Sequence, residues 1–198
     1  MVLAYHVILS AYGFWLPNDP RGSWSDFVGA WELVRFGKAT KTDERCSLAA
    51  EAHDAEARLA AKAALKFPPV KFTGLQARAV GRGFGAMVEK SGLAIWACSI
   101  LPEHVHLVIR RHRFKVEQIV NLLKGTATRR LNEEGIHPLA QFVGSRRRPP
   151  HAWARKGWQV FLDSESDIVR AIKYVEDNPM KEGLPPQRWL FVQTFEGL

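Results

Sequence analysis

The apolar positions along this chain change their spacing several times, and each change marks an element. From Ala4 to Tyr12 (AYHVILSAY) β-branched and aromatic residues dominate, the signature of a first strand. Leu93 to Leu101 (LAIWACSIL) is an almost continuous apolar run, as expected of a strand covered on both faces. Pro102-Glu103 reads as a tight turn, and His104 to Arg111 as the partner strand of a hairpin. The period then lengthens. Val116, Ile119, Val120, Leu123, Ala127 and Leu131 share one face of a helix predicted over 116–132, with Lys124, Thr128 and Arg129 among its other positions and Gly135 closing it. Trp158 to Leu162 is a short strand. Asp163-Ser164-Glu165-Ser166 supplies capping residues and first-turn acids for a helix from about Asp167 to Asn178, which Pro179 should stop.

Between the first strand and the hairpin the signals are weaker. Gly13 to Phe27 mixes turn-formers with large aromatics, which predicts an ordered loop that packs Phe14, Trp15 and Trp24. Leu48 to Phe67 is an alanine-rich helix candidate that Pro68-Pro69 ends, and it reads as part of an insertion. Thr73 suits the N-cap of a further helix that Gly92 would terminate near Ser91, although Gly81, Gly83 and Gly85 weaken it. With the insertion and the last helix set aside, the order is β-α-β-β-α-β. The expected fold is therefore α+β, a ferredoxin-like antiparallel sheet with helices on one face. The chain reads as a single domain over 1–198, with an insertion at about 13–72, a basic loop at about 141–157 and an added C-terminal helix.

Composition narrows the class of protein. At 198 residues, 46% hydrophobic and 24% charged, the chain suits one well-buried globular unit. No apolar run approaches the ~20 residues of a membrane span, and Met1 to His6 does not resemble an export leader, so the expected location is the cytoplasm. Cys46 and Cys98 stand apart, outside any Cys-x-x-Cys pattern, and read as buried, inert thiols. The net charge of +8 is concentrated. Arg110 to Lys156 holds twelve Lys or Arg against three acids, while the remainder is close to neutral, a distribution that favours a phosphate-binding surface over general solubility.

That basic segment begins directly behind two histidines. Residues i and i+2 of a strand share a face, so His104 and His106 would stand side by side with Val105 and Leu107 pointing away. Such a pair is half of a metal site, or two solvated histidines. In the last helix Ile168, Ile172 and Val175 form an apolar stripe, and Tyr174 and Asn178 stack one turn apart on a neighbouring flank. That spacing offers a phenol nucleophile beside an amide oxygen, or a boundary tyrosine and a helix-terminating Asn-Pro.

Taken together, Leu101-Pro102-Glu103-His104-Val105-His106-Leu107-Val108, the basic helix, and Tyr174-Val175-Glu176-Asp177-Asn178-Pro179-Met180-Lys181-Glu182-Gly183-Leu184 resemble the single-tyrosine HUH transposases. Among these the REP-associated tyrosine transposases are most similar. The resemblance covers the first strand and roughly residues 74–184. It implies His104 and His106 as metal ligands, Asn178 as a third ligand through its side-chain oxygen, Tyr174 as the nucleophile, and Mg²⁺ or Mn²⁺ as the cofactor. It also implies cleavage and rejoining of single-stranded, hairpin-associated DNA through a 5′-phosphotyrosine, in the cytoplasm at the nucleoid, by a homodimer or a monomer.

Expected DNA contacts are Arg110, Arg111, Arg113, Lys124, Arg129, Arg130, Arg146, Arg147, Arg148 and Arg170. Arg170, one turn before Tyr174, is expected to assist the phenol or grip phosphate, or to be a solvated helix arginine. The chain departs from the family pattern in its segment from Gly13 to about Phe72, in the glycine-rich helix and in Glu103. Alternative functions are a non-catalytic DNA-binding regulator derived from a transposase, another HUH nuclease such as a replication initiator, and a metal-dependent hydrolase without a covalent intermediate.

Overall fold

In a computed structural model, which describes residues 1–14, 16, 31–37, 54–144, 147–155 and 157–198, the elements end where local chemistry stops them. The four strands are β1 (Ala4–Ser10), β2 (Ile95–Ile100), β3 (His104–Arg110) and β4 (Trp158–Leu162). The helices are α1 (Ala55–Ala63), α2 (Gly74–Ser91), α3 (Val116–Glu133) and α4 (Glu165–Lys181). At the head of α2 the Thr73 hydroxyl accepts from the Gln76 N–H while the Gln76 side chain accepts from the Thr73 N–H, and Gly92 closes the helix at φ 71°. Ser164 caps α4 by accepting from the Asp167 N–H.

Pro179 does not stop α4 as expected. It lies inside the helix, which runs on to Lys181. A proline removes one backbone donor and crowds the carbonyl one turn earlier, but only a few residues follow here, and the Glu182 and Leu184 N–H groups still reach the Asn178 and Pro179 carbonyls. The predicted Leu48–Phe67 helix is described only as α1, which Asp54 caps. Its first residues, Trp15, Trp24, Cys46 and most of the 13–72 insertion lie outside the described residues. Cys98 is buried and free. Glu103, unusual at the hairpin turn, faces Lys62 of α1 at 3.6 Å and Lys71 at 3.7 Å.

All strands pair antiparallel in the order β2-β3-β1-β4, so β1 and β3 are central, and β1-α2-β2-β3-α3-β4 is the ferredoxin-like arrangement. The alternation of side chains gives the sheet two faces. Val7, Leu9, Val105, Leu107 and Ile109 join Phe84 of α2 and Ile119 and Leu123 of α3 in the main core. Ala4, Ala97, Val108 and Leu162 meet Ile168, Ala171 and Val175 of α4 in a second layer on the other side. Among the described residues no helix is long and apolar enough to cross a membrane.

The glycines of α2 are explained by what lies against them. A Cβ on Gly83 would fall 2.6 Å from the Ala127 Cα, and one on Gly81 would fall 2.3 Å from the Trp189 ring. Helix propensity is given up so that α3 and the C-terminal segment can approach. That segment also covers the outer edge of β2. The Gln187 amide exchanges two 2.8 Å hydrogen bonds with the backbone of Ile100, and the Gln193 N–H donates to the Ile95 carbonyl.

These contacts separate two otherwise similar substitutions. Gly83→Ala must displace backbone and is expected to destabilise by about 1–3 kcal/mol despite better helix propensity. Gly85→Ala meets only ordinary contact, 3.6 Å from Phe191, and is expected to stabilise by up to about 1 kcal/mol. Urea unfolding of both variants reads the opposite signs.

Candidate active site

The face that meets α4 is apolar at one end and polar at the other. In register, Ser10 pairs with His104, Ile8 with His106 and His6 with Val108, while Ser99 of β2 stands opposite His106. Directly opposed residues share a face, so His6, Ser10, Ser99, His104 and His106 form one polar field. The apolar end holds α4 through Ile168, Ala171 and Val175. The last turns are thereby carried over the histidines.

Tyr174 reaches the field with its ring 5.6 Å from that of His106 and 5.7 Å from that of His6. It remains 43% exposed, open to an incoming substrate. Two turns on, the Glu182 carboxylate lies 3.9 Å from His104 Nε2. Positions 174, 178 and 182 stack along one flank of a helix, so Asn178 stands between these two contacts. Its side chain is buried, and Nδ2 has no hydrogen-bond partner among the described residues.

Within the field the rings brace one another. His6 Nε2 and His106 Nδ1 are 3.0 Å apart, the His104 and His106 rings lie 4.8 Å apart, and Phe14 stacks on His104 at 4.6 Å. Burial pulls the His106 pKa well below the usual 6.5, helped by the charge that His104 and His6 would carry, and burial lowers His6 to about 4. At neutral pH both rings are neutral, the form in which an imidazole nitrogen can bind a cation.

The donor set fits a divalent cation. Among the described residues no three His, Cys, Asp or Glu side chains converge closely enough to hold one by themselves. A half-turn of the Asn178 amide would put its oxygen at the orphaned buried position, where a cation would satisfy it.

Strand parity would have revealed His6, which lies on the same face as His104 and His106 once β1 is taken as the neighbour of β3. Lys181 was also missed. Its ammonium sits 4.8 Å from the centre of the Tyr174 ring, two helical turns further along α4.

Comparison with known proteins places the chain. The family described as "Transposase IS200 like" matches residues 72–178, more than half of the sequence, and the chain belongs to that family. Among proteins of curated function none matches. A solved structure of a REP-associated tyrosine transposase bound to a REP hairpin aligns at 16% identity with a TM-score of 0.43, over 57% of this chain and 59% of that one. The present chain thus covers about three fifths of that relative. A candidate transposase from Deinococcus radiodurans R1 aligns at 14% identity with a TM-score of 0.38, over 89% of this chain and 91% of its own.

The predicted DNA-contact residues fall into separate places. Arg110, Arg111 and Arg113 are exposed at the opposite end of β3 from His104, six residues or roughly 20 Å away. Arg129 and Arg130 belong to α3, behind the sheet, and Arg130 pairs with Glu133 at 3.3 Å. Arg147 and Arg148 are exposed on the loop before β4, whose later part hydrogen-bonds β1 at Ser10, beside the histidines. Arg146 lies outside the described residues. Arg170 is engaged by Asp167, and the cation at Tyr174 is Lys181 instead.

Lys124 is the clear departure. Its place among the polar positions of α3 predicts exposure, but the structure buries it to 9% exposure, and its ammonium donates to the Ala154 carbonyl at 2.8 Å. It ties α3 to the loop before β4. Burial lowers its pKa to about 8, against 10.5 for an ordinary lysine. Between those values the unfolded chain holds the proton and the folded protein does not, so stability rises with pH. Wild type should therefore gain on the order of 3 kcal/mol relative to Lys124→Met from pH 8 to pH 10.5. Parallel denaturation curves across that range measure the difference.

Proposed function

We propose that this chain is a metal-dependent single-stranded DNA endonuclease and strand transferase, a transposase acting through a phosphotyrosine on Tyr174. The observation that carries this reading is the contact of the exposed Tyr174 with the His106 and His6 rings of its own chain. A phenol with an ordinary pKa near ~10 is a weak nucleophile until it loses its proton or lies beside positive charge. Lys181 holds its ammonium over the Tyr174 ring, 4.8 Å from the centroid.

In the proposed step the Tyr174 oxygen attacks the scissile phosphorus and loses its proton. The bond from phosphorus to the 3′ oxygen breaks, and that oxygen leaves as a 3′-hydroxyl after taking up a proton. The 5′ end stays joined to tyrosine. A second hydroxyl can then attack the phosphotyrosine and restore a phosphodiester, so strands are exchanged without an external energy source. His104, His106 and the Asn178 side-chain oxygen would hold Mg²⁺ or Mn²⁺, which when bound polarises a non-bridging phosphate oxygen. The chain's own groups do the rest. The apolar stripe of α4 fixes the tyrosine, and burial keeps two of the imidazoles neutral.

The substrate proposed is single-stranded DNA with hairpin character, tracked by Arg147, Arg148 and neighbouring basic residues of the same loop. This reading takes the tyrosine in cis, since nucleophile and histidines of one chain already meet. It implies an enzyme that works in the cytoplasm at the nucleoid, and leaves no role for a membrane.

Incubation with a single-stranded hairpin and Mn²⁺ should yield a protein-DNA band that survives denaturation. Tyr174→Phe should bind the DNA but give no such band, and a normal yield from that variant rejects the assignment. Binding without any adduct from the wild type would instead favour a DNA-binding regulator. Affinity should fall with salt. If four phosphates are contacted, the loss between 50 and 200 mM is roughly 50-fold, and the double variant Arg147→Ala/Arg148→Ala should flatten the logarithmic slope by about 1.4.

A further inference from the structure

We propose that His6 is a positioning residue that selects the tautomer of His106, so that the metal-binding nitrogen of His106 keeps its lone pair. The inference rests on the proposed role of His106 as a ligand. A neutral imidazole has one donor nitrogen and one acceptor nitrogen. In the 3.0 Å pair, one ring must donate and the other accept. If His6 donated from Nε2, His106 would accept at Nδ1 and carry its own proton on Nε2, leaving no nitrogen for a cation. If His106 donates from Nδ1, His6 Nε2 is the acceptor and His106 Nε2 is bare. Only the second arrangement is compatible with a ligand.

Metal-binding histidines generally donate their other N–H to an acceptor that fixes ring and tautomer, commonly a carboxylate or a carbonyl. Here the acceptor is another imidazole. A neutral acceptor adds no negative charge behind the ligand, so a cation on His106 would retain more of its pull on phosphate oxygen. The position of His6 is well determined. It lies on β1, which is hydrogen-bonded to β3 on one side and to β4 on the other, with its backbone opposite both Val108 and Val160. Its ring is set against His106 with centroids 5.3 Å apart and touches the Tyr174 ring edge-on. His6 thus links the proposed ligand and the proposed nucleophile without occupying either role.

Three substitutions test this. His6→Ala removes ring and acceptor. His6→Phe keeps a ring but no acceptor. His6→Gln places an amide oxygen at about the reach of Nε2. Mn²⁺ affinity, measured by electron paramagnetic resonance of free Mn²⁺ in the absence of DNA, should weaken about 10- to 100-fold in the first two and recover for the most part in His6→Gln. In metal-free wild type with ¹⁵N-labelled histidine, long-range ¹H–¹⁵N correlation should show the His106 proton on Nδ1. In His6→Phe it should move wholly or partly to Nε2.

Wild-type Mn²⁺ affinity in His6→Phe overturns the proposal, as does a wild-type His106 protonated on Nε2. The wild-type spectrum decides even where a variant fails to fold. His106→Ala provides the separation from the underlying reading. If it binds Mn²⁺ as wild type does, the metal role of His106 falls and this inference with it; if it loses Mn²⁺ while His6→Phe does not, only the positioning role falls.

Discussion

A slip of one residue between β1 and β3 would turn His104 and His106 into the core filled by α2 and α3, and Val105 and Leu107 out beneath α4. The pairing of Ser10 with His104 and of Ile8 with His106 is therefore the constraint on which the candidate site depends. It is held firmly because the opposite face must be apolar. Val7, Leu9, Leu107 and Ile109 have no exposure, and burying polar groups in their place would cost more than any ladder hydrogen bond returns. The site is specified from behind, by residues that take no part in it.

The last helix turns this register into a constellation. Its apolar stripe is an ordinary packing element, with Ile168, Ala171 and Val175 on the apolar end of the sheet. Its second half places Tyr174, Asn178 and Glu182 over the polar end. A single rigid helix thus converts hydrophobic packing at one end into side-chain placement at the other, and its continuation through Pro179 to Lys181 brings a cation back over the tyrosine ring. The segment after the helix packs on α2 and closes the outer edge of β2, so the strand next to the histidines is not left open to chance pairing.

Burial and charge work together in the polar field. Five polar side chains share one end of the sheet face that packs on α4, and the low-dielectric surroundings hold His106 and His6 uncharged at neutral pH. Neutral imidazoles coexist at short range where charged ones would repel. The basic residues are arranged differently. Arg110, Arg111 and Arg113 lie at the far end of β3 from the histidines, Arg129 and Arg130 on α3, and Arg147 and Arg148 on the loop before β4, so one linear cluster is spread over separate places in the fold.

Much of this was legible in the chain itself. Hydrophobic spacing and capping residues are local signals, and they located Thr73, Gly92, the hairpin at Pro102 and the strand at Trp158 to within a residue or two. The parity of His104 and His106 and the i, i+4 spacing of Tyr174 and Asn178 are likewise properties of short segments, and with the family resemblance they picked out the candidate site residues. His6, Lys181 and the burial of Lys124 were not legible, because each depends on partners distant in sequence. His6 acquires meaning only when β1 pairs with β3, Lys181 only when α4 runs past a proline, and Lys124 only when the loop at Ala154 folds against α3. The glycines of α2 looked like helix breakers for the same reason, since the closeness of Ala127 and Trp189 that requires them is absent from the local sequence. Sequence alone determined which elements form and which face of each carries chemistry, because period and capping act over a few residues. Tertiary structure decided which of those faces meet, because register and helix packing are settled by burial across the whole domain.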